Sequence, residues 1–218
     1  MRQLPVSLNV GGRLCLVVGA EGPAGSKIEM LLRAGARVRL VALEIGAEIE
    51  VLAARELRLT LVRRGYREGD LDGCWLAFLA SSDPEALDLV VRDAERGRIW
   101  LNAIDDPEAC SFAMPAILER GRIAIAVGTG GASPLLARVV RDRIGTWLGE
   151  EYVAAADHLA DLRARFAPGA ARQRAFGELL EAGLLDALRQ GDGARVEEMT
   201  HAAFAGLAAR GDATADVP

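Results

Sequence analysis

The chain has 218 residues, of which 51% are hydrophobic, 26% charged and only 5% aromatic, and its formal net charge is −5. A chain of this length and composition can bury enough apolar surface to offset its conformational entropy, which excludes a mainly disordered state. The acidic balance and the scarcity of aromatic side chains argue against nucleic acid as a partner, because such surfaces need basic residues and stacking platforms.

Targeting signals and metal clusters are not evident in the sequence. The first residues lack the apolar segment of a secretion signal, and no apolar run approaches the ~20 residues needed to span a bilayer. Cys15, Cys74 and Cys110 are odd in number and too far apart for a disulfide framework or for the ligand spacing of a zinc site. We therefore expect a soluble, cytoplasmic protein with no membrane partner and no bound metal.

The first hundred residues alternate short apolar runs with stretches of helical periodicity, which predicts a parallel sheet with crossover helices in a Rossmann-type α/β domain. Strands are expected at residues 13–18, 37–42, 57–62, 74–80 and 98–102. Helices are expected between them, at about residues 23–34, 46–54 and 84–96.

The pattern changes after residue 111. Residues 112–118 and 122–127 read as a hairpin, and a helix follows with Ser133 as its N-cap and Pro134 at its first position. An apolar stripe on that helix suggests a partner subunit or domain; it consists of Leu136, Val139, Val140, Ile144 and Trp147. Apolar periodicity then predicts three further helices, at residues 152–166, 176–188 and 196–207, before a frayed tail from residue 211.

A glycine-rich stretch, residues 19–25, follows the first strand and opens the first helix, where backbone amides and the helix dipole can receive a dinucleotide diphosphate. In the usual G-x-G-x-x-G spacing the second glycine would stand at position 21, which is Glu21 here. Either its carboxylate rotates away or the loop shifts to use Gly22. Glu44 is the local candidate for the adenosine ribose and would repel the 2′-phosphate of NADP. A Rossmann scaffold that binds no nucleotide is the alternative.

Two later stretches carry candidate site residues. Asp105 and Asp106 follow the last predicted sheet strand, at the edge where open α/β sheets hold ligands, so either could act as a base; a solvated turn before Pro107 is the alternative. Residues 128–134 form a second glycine-rich loop whose amides could hold a carboxylate, unless its glycines only supply a turn. His158 and His201 fall in the C-terminal helices, away from that edge.

Several stretches, taken in order, carry a resemblance. They are residues 4–6, 17–19 with Ala24 and Lys27, 31–36, 80–84, 102–107, 111–115 and 126–134 followed by 136–138. Together they resemble the precorrin-2 dehydrogenase and sirohydrochlorin ferrochelatase family, the siroheme-forming module that stands alone or is fused to a methyltransferase. Ala20, Glu21, Pro23 and Asp88 depart from the family pattern, and all four lie on the nucleotide side.

The resemblance implies a homodimer of three parts: an NAD-binding Rossmann-type domain at 1–110, a dimerisation segment at 111–149 and a helical domain at 150–210, followed by the tail at 211–218. It selects Asp105 over Asp106 as the functional carboxylate. The residues expected at the cofactor are Gly19, Ala20, Glu21, Gly22, Pro23, Ala24, Lys27, Glu44, Ser82 and Asp83. The residues expected at the tetrapyrrole substrate are Asn102, Ser111, Phe112, Met114, Thr129, Gly130, Gly131, Ser133 and Arg138.

These features predict a homodimeric enzyme that oxidises precorrin-2 to sirohydrochlorin with NAD⁺. The sequence leaves open whether it then inserts Fe²⁺, since a hard oxygen ligand such as Asp105 can guide that ion without retaining it. One alternative is a tetrapyrrole chelatase or tetrapyrrole-binding protein that has lost NAD. Another is a catalytically silent partner or regulator.

Overall fold

The computed structural model describes residues 4–104 and 106–208. Residues up to 114 form one compact unit and residues from 115 onward form a second. Asp105 and the tail at 211–218 lie outside the described residues, and the three-part division remains a prediction.

The first unit is built on one parallel sheet of five strands in the order β3-β2-β1-β4-β5. The strands are β1 Leu14–Val18, β2 Arg37–Ala42, β3 Leu59–Arg63, β4 Leu76–Leu79 and β5 Trp100–Ala103. The connecting helices are α1 Ala24–Arg33, α2 Ala47–Arg55 and α3 Pro84–Gly97. This confirms the predicted Rossmann-type sheet.

Both faces of this sheet are buried, which explains why its strands read as continuous apolar runs. Cys15 and Val17 of β1 pack into one core with the inner face of α1, while Leu16 and Val18 pack into a second core with α3. β1 has β2 on one side and β4 on the other, so the crossover direction reverses between β1 and β4. In open α/β sheets, ligands bind at that reversal, outside the carboxyl ends of the strands.

A polar network secures the connection between β3 and β4. Arg64 donates two hydrogen bonds to the buried Asp70, at 2.6 and 2.7 Å, and the Tyr66 hydroxyl donates to the buried Asp93 at 2.8 Å. Burial raises the pKa of Asp70, but the hydrogen bonds from Arg64 and from the Arg67 N–H, together with the charges of Arg64 and Arg39, leave that pKa below its usual value. Burial and the neighbouring Asp93 raise the pKa of Tyr66.

The second unit starts with an antiparallel hairpin and continues in helices. The hairpin strands are β6 Ala116–Arg120 and β7 Ile123–Val127. The helices are α4 Pro134–Trp147, α5 Glu150–Arg165, α6 Ala170–Glu181, α7 Leu184–Gln190 and α8 Gly193–Ala208. Within residues 4–104 and 106–208, no helix is long and apolar enough to cross a membrane.

Helix α4 packs on the hairpin through residues outside its predicted apolar stripe. Ala137 and Gly145 are its buried residues, and a Cβ on Gly145 would touch Leu118 at 3.5 Å. Leu136, Val139 and Trp147 of the stripe are 51, 41 and 65% exposed in the single chain. Most of the stripe is therefore exposed in the single chain, while Ile144 is partly buried.

Two sequence predictions about element boundaries are wrong. The first hairpin strand begins at Ala116, because residues 110–112 hydrogen-bond alongside β5 instead. The helix predicted at 176–188 is two helices, α6 and α7. They are separated at Gly183, whose φ of +97° lies in the left-handed region that interrupts a helix.

Candidate functional site: the carboxyl edge of the parallel sheet

The loop after β1 closely contacts the loop after β4. Gly19 has φ +81°, and a Cβ built on it would lie only 2.1 Å from the Ala80 carbonyl oxygen. Its N–H donates to Val41 at 2.8 Å, which ties the same residue to β2. Glycine is thus the one residue that allows this approach, and it fixes the glycine loop at the crossover reversal.

Glu21 contacts the loop after β4 through both its main chain and its side chain. Its N–H donates to the Ala80 carbonyl at 3.1 Å, and its Oε2 accepts from the Ser82 N–H at 3.0 Å. The side chain is therefore turned to the β4–α3 loop. The predicted cofactor residues Ser82 and Asp83 both have protein partners, since Asp83 accepts from the Glu85 N–H at 3.0 Å and caps α3.

The first turn of α1 is open to an anion. The helix begins at Ala24 after Pro23, has no acidic residue in its first turn, and is capped by no side chain within the described part of the protein. A Cβ built at Gly22 or Gly25 would meet no atom within 4 Å. The Ala24 N–H donates to the Glu21 carbonyl at 3.2 Å, but the next amides of the turn and the helix dipole suit a diphosphate. The residues present thus fit the NAD(P) diphosphate, although the Glu21 carboxylate opposes its charge.

Two further predicted cofactor residues flank this turn. Lys27 is half-buried, its Nζ lies 5.4 Å from the centre of the Phe78 ring, and burial lowers its pKa. Glu44 is exposed just beyond the end of β2, at the same edge of the sheet as the glycine loop. Its position is compatible with the predicted ribose contact.

The chain that follows β5 returns to that strand at Ser111 and Phe112. The Leu101 N–H donates to Ser111 Oγ at 2.7 Å, and the Ser111 N–H donates to the Leu101 carbonyl at 2.8 Å. Asn102 Nδ2 donates to the Phe112 carbonyl at 3.0 Å. Asn102 and Ser111, both predicted at the substrate, thus also hold this segment against the sheet.

Cys110 adds a further closing contact that the sequence did not suggest. Its Sγ accepts from the Ala103 N–H at 3.2 Å and lies 3.1 Å from the carbonyl oxygens of Ala103 and Asp106. Asp106 in turn accepts from the N–H groups of Glu108 and Ala109, at 3.1 and 3.2 Å. Asp106 is therefore a turn-forming carboxylate. Burial raises the pKa of the Cys110 thiol, which favours its neutral form.

Aromatic rings line the same region. Phe112 meets Phe78 edge-on with ring centres 5.5 Å apart, and Trp100 lies 6.3 Å from Phe112. Phe112 and Met114, both predicted at the substrate, also pack against the core beneath α1. Their substrate roles stay predictions.

The second glycine loop lies in the second unit and is closed by its own hydroxyl groups. Thr129 Oγ1 accepts from the Ser133 N–H at 3.1 Å, and Ser133 Oγ caps α4 by accepting from the Leu136 N–H at 3.1 Å. Gly130 and Gly131 have φ of +62° and +87°. Arg138 is exposed one turn further along α4. The loop has the turn geometry expected, and its role toward a carboxylate stays a prediction.

Metal-ligating side chains do not gather in either unit: among the described residues no group of three or more His, Cys, Asp and Glu could hold a metal ion. His158 Nε2 lies 2.9 Å from Thr200 Oγ1 between the C-terminal helices, and His201 is exposed on α8.

Comparison with known proteins agrees with this geometry. Residues 6–116 match the family described as "Putative NAD(P)-binding", and residues 120–146 match the one described as "Sirohaem biosynthesis protein central". The chain belongs to this NAD(P)-binding family. The family resemblance predicted from the sequence motifs is thereby confirmed.

Individual relatives carry related names. The siroheme synthase of Pseudomonas fluorescens (strain Pf0-1) is 39% identical over 217 residues, covering 95% of this chain and 46% of that protein. That of Citrobacter koseri is 38% identical over 205 residues, covering 92% of this chain and 45% of that protein. The chain thus spans about half the length of these curated relatives. A solved structure named SirC, precorrin-2 dehydrogenase, has the same fold, with a TM-score of 0.75 at 24% identity over 92% of this chain and 98% of that one.

Proposed function

We propose that this protein is a precorrin-2 dehydrogenase that oxidises precorrin-2 to sirohydrochlorin with NAD⁺ in siroheme biosynthesis. The observation that carries the proposal is the open first turn of α1, which follows the Gly19 loop at the point where the crossover direction of the sheet reverses. Residues 6–116, which include this turn, match an NAD(P)-binding family. The siroheme synthases it resembles, and the fold it shares with a precorrin-2 dehydrogenase, support the choice of substrate.

Bound NAD⁺ would supply the acceptor for the hydride that leaves precorrin-2. The chain would hold it through the glycine loop, with the diphosphate at the α1 amides and Glu44 at the adenosine ribose. A carboxylate at that ribose repels a 2′-phosphate, so we propose a preference for NAD over NADP.

The second hydrogen leaves precorrin-2 as a proton, and Asp105 is the proposed base. The family motif selects it, and in the sequence it comes two positions after the end of β5, whose carboxyl end is at the ligand-binding edge of the sheet. Precorrin-2 carries several carboxylates, for which the amides of Gly130 and Gly131 and the guanidinium of Arg138 are the proposed partners.

A second candidate function keeps the tetrapyrrole and discards the dinucleotide. The Glu21 carboxylate favours it, because a fixed negative charge lies beside the loop that would receive the diphosphate. In that case the protein is a chelatase or a tetrapyrrole-binding protein. Insertion of Fe²⁺ by Asp105 is also the proposed second step if NAD is retained, since a carboxylate can take pyrrole protons and guide the ion.

We further propose a cytoplasmic homodimer with the three-part division predicted from the sequence. The uncovered stripe on α4 supports a second copy, because Leu135, Leu136 and Trp147 are each more than half exposed in the single chain. A permanent interface of this kind would bury more than about 2,000 Å².

The deciding experiment titrates the purified chain with NAD⁺ by calorimetry and then adds precorrin-2 without oxygen, following absorbance. Formation of NADH and sirohydrochlorin in equal amounts is the expected result. If NAD⁺ neither binds nor is reduced, while preformed sirohydrochlorin binds or takes up Fe²⁺, the second candidate replaces the first.

A further inference from the structure

A cation lies beside the strand end that carries Glu44. Arg63 is the last residue of β3 and is paired in register with Ala42, the last residue of β2. Glu44 follows Ala42 by two positions and is exposed at the same edge of the sheet. Neighbouring strands lie only about 4.8 Å apart, so the chain at Arg63 is next to the strand end that leads to Glu44.

The side chain of Arg63 lies on the face of the sheet that α2 covers. Side chains at alternate positions of a strand share a face, and Leu59 and Leu61 of β3 pack into the core that also contains Ile49 of α2. The Arg63 guanidinium meets this helix, where its Nη2 donates to Oε1 of Glu50 at 2.8 Å. Glu50 therefore occupies the cation that stands at the end of β3.

An arginine in this part of the fold bears on the choice between the two dinucleotides. NADP carries a phosphate on the 2′-oxygen of the adenosine ribose where NAD carries a hydroxyl, and Rossmann folds accommodate that phosphate with a nearby arginine. Arg63 and Glu50 are 58 and 46% exposed in their side chains, so a ligand can reach the pair. An ion pair this exposed is weak, and a 2′-phosphate could compete for the guanidinium if the carboxylate were absent.

Further negative charge surrounds the pair. Glu48 and Glu50 both lie in the first turn of α2, where the helix dipole favours acidic side chains. Glu44 precedes this helix by three positions. An incoming 2′-phosphate would meet these carboxylates together with a guanidinium that is already paired, whereas a 2′-hydroxyl can donate to a carboxylate.

We propose that Glu50 determines dinucleotide specificity through Arg63: by pairing with the guanidinium, it denies a cation to the 2′-phosphate and so excludes NADP. Glu50 is thus a positioning residue for Arg63 and makes no contact with NAD. Its effect adds to that of Glu44. The inference rests on the proposed function, because the dinucleotide site is taken from it.

The matched variants are Glu50→Gln and Glu56→Gln. Each removes one negative charge and keeps the size of the side chain, and Glu56 pairs with Arg58 near the amino end of β3, away from the ligand edge. Glu50→Gln should bind NADP⁺ about 3- to 10-fold more tightly than the wild type and change NAD⁺ affinity by less than about 2-fold. Glu56→Gln should change neither affinity. Combining Glu50→Gln with Glu44→Gln should raise NADP⁺ affinity by about 10- to 100-fold.

A second substitution tests whether the gain depends on the arginine. Arg63→Met in the Glu50→Gln background should return NADP⁺ affinity to the wild-type level or below it, because the cation is gone. Calorimetry with NAD⁺ and NADP⁺ measures these affinities. The same titrations with adenosine 2′,5′-bisphosphate and 5′-AMP isolate the ribose phosphate and need no turnover. Thermal unfolding should differ little among the variants, since the pair is half-exposed.

Several outcomes overturn the inference while leaving the proposed oxidation intact. One is that Glu50→Gln gains no more NADP⁺ affinity than Glu56→Gln. Another is that the gain persists after Arg63→Met, which would assign it to a general loss of negative charge. A wild type that binds NADP⁺ as tightly as NAD⁺, or a Glu50→Gln variant that loses affinity for both, would equally refute the role of the pair. If the wild-type chain binds neither dinucleotide, the proposed function and the inference both fail.

Discussion

Replacing Glu21 tests how this unusual glycine loop handles a diphosphate. In the structure its Oε2 accepts from the Ser82 N–H at 3.0 Å, which holds the charge beside the loop although the side chain is exposed. Glu21→Gln keeps an oxygen that can accept this hydrogen bond and removes only the charge. Glu21→Gly removes the charge, the side chain and the bond together.

The expected gain in affinity follows from Coulomb's law. A carboxylate held across the loop from the first turn of α1 would lie about 6 to 8 Å from a diphosphate there, which costs roughly 2 to 3 kcal/mol at an effective dielectric near 20. Screening by physiological salt reduces this to about 1 kcal/mol or more. Glu21→Gln should therefore bind NAD⁺ about 5- to 10-fold more tightly than the wild type. Glu21→Gly should bind at least as tightly.

Calorimetric titration with NAD⁺ at low and high salt measures both variants against the wild type. The difference between Glu21→Gln and wild type should shrink as salt rises, because it is a charge effect. The reasoning is refuted if Glu21→Gln binds no more tightly than wild type at either salt concentration, which would mean that the loop receives the diphosphate around Gly22 instead. A loss of affinity confined to Glu21→Gly would assign Glu21 to holding the loop through Ser82.

Three further predictions concern other parts of the molecule. Asp105→Asn should lower the rate of precorrin-2 oxidation by roughly 10² to 10⁴ with little change in Tm, whereas Asp106→Asn should mainly lower the Tm. Steady-state kinetics and thermal unfolding of the two variants test this difference. Full activity in both variants would contradict the carboxylate mechanism. Val140→Asp should dissociate the proposed dimer or unfold the protein. Light scattering measures the oligomeric state, and a monomeric wild type at micromolar concentration would refute the proposed dimer. Asp70→Asn should lower the free energy of unfolding at neutral pH by about 1 to 3 kcal/mol. Because the pKa of Asp70 is depressed in the folded chain, its contribution is present above the ordinary carboxyl pKa and is lost as pH falls through the folded pKa. Urea unfolding between pH 3 and pH 7 should thus give the variant a flatter profile, and parallel profiles would count against the assignment.

The Rossmann-type sheet could be predicted because its signals are local. Apolar runs of strand length and helices with one apolar face follow each other along the first hundred residues, and the glycine-rich stretch from position 19 marks the turn from the first strand to the first helix. The orientation of Glu21 could not be predicted, since it depends on an amide 61 positions further along the chain. The sequence allows more than one orientation of the Glu21 side chain, and the packing of the glycine loop against the loop after β4 determines which one forms.

The return of Ser111 and Phe112 to β5 could not be predicted for a related reason. Phe112 reads as part of an apolar run that continues through residue 118, so the whole run was assigned to one strand. In the structure, Ser111 and Phe112 join β5 and the hairpin begins after Pro115. The break between α6 and α7 was hidden in the same way, because the apolar spacing of Leu180 and Leu184 continues across Gly183. In both cases the apolar pattern of the sequence continues across a point where the backbone changes direction, so the pattern does not reveal the boundary between the two elements.

The bonds between Ser111 and Leu101 also determine how the sheet meets its surroundings. β5 is the outermost strand on its side, and an outermost strand normally presents unpaired main-chain groups onto which another chain can add. Here Leu101 already has both its N–H and its carbonyl taken by Ser111 of the same chain. The middle of the edge strand β5 is therefore already paired within the chain. Two copies of the first unit cannot join their sheets through β5, and an extended peptide cannot add to the sheet along this strand.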